Sequence, residues 1–177
     1  MTAGAERIGI LTGGGDCPGL NAVIRAVTKA AAERGWQTLG IHDGFEGLLD
    51  PVRYEVLDPA LSGNWLTRGG TILGTTNRGR FAAKVGHGEV RRIDPEVVAA
   101  TQRTVASLGL RALICVGGDG TLTIAQQLWE QSDLGLVIPG FQQGLNAAGF
   151  VEGRNLAIEY RWAEGDYRRL PALATDL

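Results

Sequence analysis

Twice in this chain a short apolar run ends in a cluster of glycines with an aspartate, then gives way to apolar residues at helical spacing. Arg7–Thr12 (RIGILT) runs into Gly13-Gly14-Gly15-Asp16, and Arg111–Val116 (RALICV) runs into Gly117-Gly118-Asp119-Gly120-Thr121. Few folds accept such units. Parallel strands need crossover connections, usually helices, and a sheet built this way is covered on both faces. Glycines let the backbone approach a ligand closely, and the free N–H groups of a helix start attract anions. Ligands of these sheets bind beyond the C-terminal ends of the strands, so both turns are expected on one edge. Asp16 and Asp119 would repel a phosphate unless a Mg²⁺ sits between. One such turn is equally well a plain β–α connection. Two on one edge, each with an aspartate, point to a nucleotide or a phosphate.

The rest of the pattern fits the same architecture. Leu20, Val23, Ile24, Val27 and Ala31 recur at helical spacing up to Arg34, and Gly35 is a natural stop. Gln37–Ile41 reads as a second strand. His42 to Arg92 is irregular, rich in Gly, Asp and Pro, with Tyr54–Leu57 as a short strand candidate. A stretch of that kind inside a compact domain is usually a functional insertion. Asp94 as N-cap and Pro95 as first helical residue open a helix to Leu108. A further helix follows the second glycine turn to about Gln131, then a buried-type strand over Leu134–Ile138. The tail reads as helix Phe141–Ala148, strand Asn155–Trp162 and helix Tyr167–Leu177. The expected fold is α/β: a single doubly wound sandwich over residues 1–177, Rossmann-like or flavodoxin-like, with a mainly parallel five-stranded sheet.

Composition removes several function classes. The chain has 177 residues, 44% hydrophobic and 20% charged, which suits one domain with a real core. A formal net charge of -2 gives no general surface for nucleic acid. No stretch reaches membrane-spanning length, and Met1 to Arg7 carries no secretory pattern. The two cysteines, Cys17 and Cys115, lie far apart and suggest neither a disulfide framework nor a zinc site, so a cytoplasmic setting is expected. His42 and His87 have no ligand-spaced partner. Arg25 and Lys29, at i and i+4 of one helix, read as a solvated basic face.

Three segments carry a resemblance to a known family: GILTGGGDCPGLNAVIRAV from Gly9, GGTILGTTNRGRF over Gly69–Phe81 and VGGDGTL over Val116–Leu122. In this order and spacing, residues 7–131 resemble the nucleotide-binding portion of ATP-dependent 6-phosphofructokinases. The resemblance implies cofactors ATP and Mg²⁺. It places Gly15 against the ATP phosphates and brings Arg78, with Gly79, to the nucleotide. Gly118, Asp119, Gly120 and Thr121 would form the second phosphate loop, with Asp119 as Mg²⁺ ligand. Gly120 stands where pyrophosphate-dependent members carry Asp, so the chain resembles the ATP-using type. The family's arginine falls where Asn77 stands, which leaves both Arg78 and Arg80 open as its counterpart.

After Pro139 the family would continue into a Lys-Thr-Ile-Asp-Asn-Asp segment that supplies the catalytic base, whereas this chain reads GFQQGLNAAGF. The sugar-phosphate-binding domain is likewise expected to be missing, so no catalytic residue is assigned. Residues 140–177 resemble part of a substrate-binding protein of ABC transporters, notably through GFVEGRNLAIEYRWAEG. That suggests a chimera, engineered or natural, with a kinase-like segment over 1–135 and a tail over 136–177 completing the sheet. The expected function is therefore a Mg-ATP-binding half-site with little or no catalysis; a chimeric scaffold without ligand is the alternative. Apolar residues of the insertion (Phe45, Leu48, Leu49, Trp65) are expected to be exposed and to drive self-association.

Overall fold

The computed structural model describes residues 5–13, 19–76, 79–81 and 92–131. Within them the chain runs β1 (Arg7–Thr12), α1 (Leu20–Glu33), β2 (Gln37–Ile41), β3 (Tyr54–Val56), α2 (Pro95–Ser107), β4 (Leu110–Val116) and α3 (Asp119–Glu130). Two 3₁₀ turns, Gly44–Leu48 and Pro59–Trp65, flank β3. The element limits follow local chemistry. Gly35, at φ 72°, takes the left-handed conformation that ends α1 after a turn at Arg34. The Asp94 side chain accepts a hydrogen bond from Glu96 N at 2.8 Å and starts α2, with Pro95 beside it.

The sheet order is β3-β2-β1-β4. β1 is central and parallel to both β2 and β4. β3 pairs antiparallel with β2, with Leu39 opposite Val56 and Ile41 opposite Tyr54. The described sheet is thus mixed and four-stranded, where a mainly parallel five-stranded one was expected. The physical reason at β3 is its connection. Only a 3₁₀ turn lies between β2 and β3, and without a crossover helix the chain folds back. The expected strands Leu134–Ile138 and Asn155–Trp162, and the helices around them, lie outside the described residues.

Alternation along the strands builds a core on each face. Ile8 and Ile10 of β1, with Ala112, Ile114 and Val116 of β4, pack under α1 against Ile24, Val27 and Ala31. Leu11 of β1 and Leu113 and Cys115 of β4 point the other way. They join Val98 and Val105 of α2 and Ala125 and Leu128 of α3. Ile10, Leu11, Ile24 and Leu128 are fully buried, and each such side chain stabilises the fold by about 1.5–3 kcal/mol. The doubly wound layering is therefore present around β1.

The insertion departs from expectation in its surface. Phe45, Leu48, Leu49 and Trp65 are buried, not exposed. Phe45, Leu48 and Leu49 extend the core beneath α2, where Phe45 meets Phe81 at 5.5 Å between ring centroids. Trp65 packs with Ile10, Ile24 and Leu73 on the α1 face. Among the described residues of the insertion, the large apolar side chains left at the surface are instead Val52, Tyr54, Val56, Leu61 and Leu66, around the β3 edge and the second 3₁₀ turn.

Candidate functional site

The two glycine turns meet. Gly13 N donates to Val116 O at 2.8 Å, so the chain leaving β1 is tied to the chain leaving β4. Thr121, in the first turn of α3, is 5% exposed. Its side chain is wedged against Gly13 and Gly117: a Cβ on either glycine would collide with the Thr121 hydroxyl. Those two glycines are close-approach residues, required by the packing of α3 onto the strand ends. Gly118 and Gly120 differ, since a Cβ on either would meet nothing within 4 Å. Gly118 is the N-cap of α3 and makes no side-chain cap bond. Gly118 thus has no side chain to cap the first N–H groups of α3, and open space lies beside Gly118 and Gly120, a setting that suits phosphate oxygens.

A third segment lies across the same edge. Asn21, in the first turn of α1 and 4% exposed, accepts from Ile72 N at 2.8 Å and donates to Arg68 O at 3.0 Å. Asp43 N, just past β2, donates to Leu73 O at 2.9 Å. The Thr12 hydroxyl, fully buried at the end of β1, donates to Gly74 O at 2.9 Å and lies 2.8 Å from Thr71 Oγ1. Residues 68–74 are therefore held by β1, β2 and α1 together. Farther along, Glu46 accepts from Phe81 N at 3.1 Å and pairs with Arg80 at 3.8 Å. Gly79 lies against the same carboxylate, which a Cβ there would strike.

Of the residues expected at the site, Gly118, Gly120 and Thr121 come together at the start of α3, and Asp119 is its first residue. Gly79 is placed beside Glu46. Gly15, Asp16 and Arg78 lie outside the described residues. Arg80 is engaged by Glu46 and by Asp50 O at 3.5 Å. Arg25 is half-buried and its Nε has no partner among the described residues, whereas Lys29 is exposed. His42 pairs with Glu55 at 3.6 Å. The sequence reading missed Thr12, Asn21, Glu46 and Thr71. A usable signal existed for one of them: Thr12 is a hydroxyl closing an otherwise apolar strand.

Among the described residues no group of three or more His, Cys, Asp or Glu gathers to hold a metal. Cys115 keeps some surface, yet its thiol is desolvated, which pushes its pKa up from 9.0 to about 12. It is poorly suited to act as a nucleophile. No helix among the described residues is long and apolar enough to cross a membrane.

Comparison with known proteins gives a consistent set. The family model described as phosphofructokinase matches residues 7–147. An ATP-dependent 6-phosphofructokinase of Chloroflexus aggregans is 52% identical over 128 residues, covering 72% of this chain and 35% of its own length. ATP-dependent 6-phosphofructokinase 1 of a Nostoc species is 44% identical over 165 residues, 88% of this chain and 44% of its own length. The phosphofructokinase of Pichia pastoris in its T-state superposes with a TM-score of 0.62 at 28% identity, over 85% of this chain and 16% of that one. A pyrophosphate-dependent phosphofructokinase of Marinobacter aquaeolei, 13% identical with a TM-score of 0.52 over 82% of this chain and 31% of that one, shares the fold. The chain thus spans less than half the length of the curated relatives it matches. The kinase likeness continues past the junction expected near residue 135, and these matches lend no support to a transporter-derived tail or to a chimera.

Proposed function

Because the chain belongs to the phosphofructokinase family, we propose that residues 7–131 form the nucleotide side of an ATP-dependent 6-phosphofructokinase site. The observation that carries this reading is the junction of the two glycine turns, with the uncapped, open start of α3 beside it. Backbone N–H groups at Gly118, Asp119 and Gly120 would donate to phosphate oxygens. The side chain of Thr121 is committed to packing, so only its backbone serves the loop. Gly15 would lie against the phosphates from the first turn. Arg78, with Gly79, would approach from the third segment. Asp119 would hold Mg²⁺, which when bound offsets the charge of the phosphates. Open space at Gly120 leaves room for the ATP α-phosphate, and an Asp there would fill and repel it.

Within this sequence the segment after Pro139 lacks the aspartate pair expected of the base. General-base help is worth about 10²–10⁴-fold, and phosphoryl transfer also needs the acceptor positioned. This chain is therefore proposed to bind Mg-ATP without transferring phosphate to fructose 6-phosphate. The exposed Val52, Tyr54, Val56, Leu61 and Leu66 give self-association a surface.

The test is the thermal unfolding midpoint with and without Mg-ATP, beside Asp119→Ala. Binding to the folded state alone adds about 2.7 kcal/mol at a hundredfold excess over Kd. A rise in midpoint that disappears in the variant is expected. No rise at millimolar nucleotide would overturn the reading.

A further inference from the structure

Resting on that reading, we propose that Thr12 is a positioning residue whose buried hydroxyl sets the segment leading to the nucleotide. A threonine hydroxyl has one proton to donate. Thr12 Oγ1 donates to Gly74 O at 2.9 Å, so in its 2.8 Å contact with Thr71 Oγ1 the donor must be Thr71. Thr71 Oγ1 in turn accepts from Leu73 N at 3.2 Å. The result is a one-way relay from Leu73 N–H through Thr71 and Thr12 to the carbonyl of Gly74, the next residue. Its two ends are adjacent in the chain, so the relay closes a small ring and fixes the turn at Leu73-Gly74.

Two features separate this arrangement from ordinary core packing. Thr12 is fully buried, so water cannot replace its hydroxyl, and each link polarises the next. Thr12 also precedes Gly13, whose N–H reaches Val116 O. One residue thereby joins the third segment to the meeting point of the two glycine turns. Asn21 and Asp43 hold the same segment from its flanks, but neither belongs to β1. A valine would fill the same space as Thr12 and break two links of the relay, while a serine would keep both.

Isothermal titration with Mg-ATP, on folded wild type, Thr12→Val and Thr12→Ser, tests the proposal. Thr12→Val should raise Kd about tenfold, while Thr12→Ser should stay within about twofold of wild type. Should Thr12→Val fail to fold, Thr71→Val cuts the same relay from a partly exposed residue and should weaken binding similarly. Where both fold, the double variant should lose less than the sum of the single losses, because the two hydroxyls form one chain. Wild-type affinity in Thr12→Val or in Thr71→Val would overturn the positioning role and leave the nucleotide site standing. Absence of binding in wild type would overturn both.

Discussion

At the scale of single residues, glycines of one motif do opposite jobs. Gly117 has no room for a methyl group because the Thr121 side chain fills it. Gly120 has room, facing open space in the first turn of α3. Substitution should separate them. Gly117→Ala forces Thr121 or the backbone to shift and should cost about 1–3 kcal/mol in urea unfolding. Gly120→Asp adds an acid to a helix N-terminus, where negative charge is favourable, so unfolding without ligand should stay near wild type. The same substitution should abolish the Mg-ATP-dependent rise in thermal midpoint. A Gly120→Asp protein that still responds to Mg-ATP would show that the nucleotide is not seated there. The motif was legible in the sequence, but the division of labour was not, since it depends on where a threonine of α3 packs.

At the scale of elements, most limits follow from neighbouring residues. The N-cap at Asp94, the stop at Gly35 and the strands at Arg7 and Gln37 fall where local chemistry puts them. Asp94→Ala removes the bond to Glu96 N, so it should lower stability by about 1 kcal/mol, read from a shifted urea midpoint at unchanged slope. The insertion was harder to read. Its apolar residues alternate with no period, so nothing local shows that Phe45 and Leu48 turn under α2 while Val56 and Leu61 face outward. The sense of β3 was equally hidden, because strand direction is set by the connection and the partner.

At the scale of the whole molecule, β1 joins the parts. It pairs with strands on both sides, sends alternate residues into cores under α1 and under α2 and α3, and ends where three loop segments meet. Gln127 of α3 ties the two ends of the second core, accepting from Ile93 N at 2.8 Å just ahead of α2. Burial also makes stability depend on pH through Cys115. Its thiol pKa rises from 9.0 to about 12 on folding, so the unfolded chain releases the proton first. The contribution is complete below pH 9, the unfolded value, and is lost as pH rises toward 12. Urea unfolding between pH 8 and about 10.5 should show stability falling, with a shallower fall in Cys115→Ala. Equal slopes in the two proteins would rule out this source.

The sequence by itself determined the strand–turn–helix units, their caps and the family, because those depend on residues close together in the chain. The glycines that end β1 and β4 and the helix start at Asp119 were also readable, since close backbone approach and helix starts impose residue types locally. Only the tertiary structure decided that Arg80 belongs to Glu46 and that Thr121 packs inward. It alone brought Thr12, Asn21 and Asp43 onto one segment. Thr12 and Gly74 are 62 positions apart. No local pattern encodes such a contact; it exists because strand order and crossover bring the ends of β1, β2 and β4 to one edge.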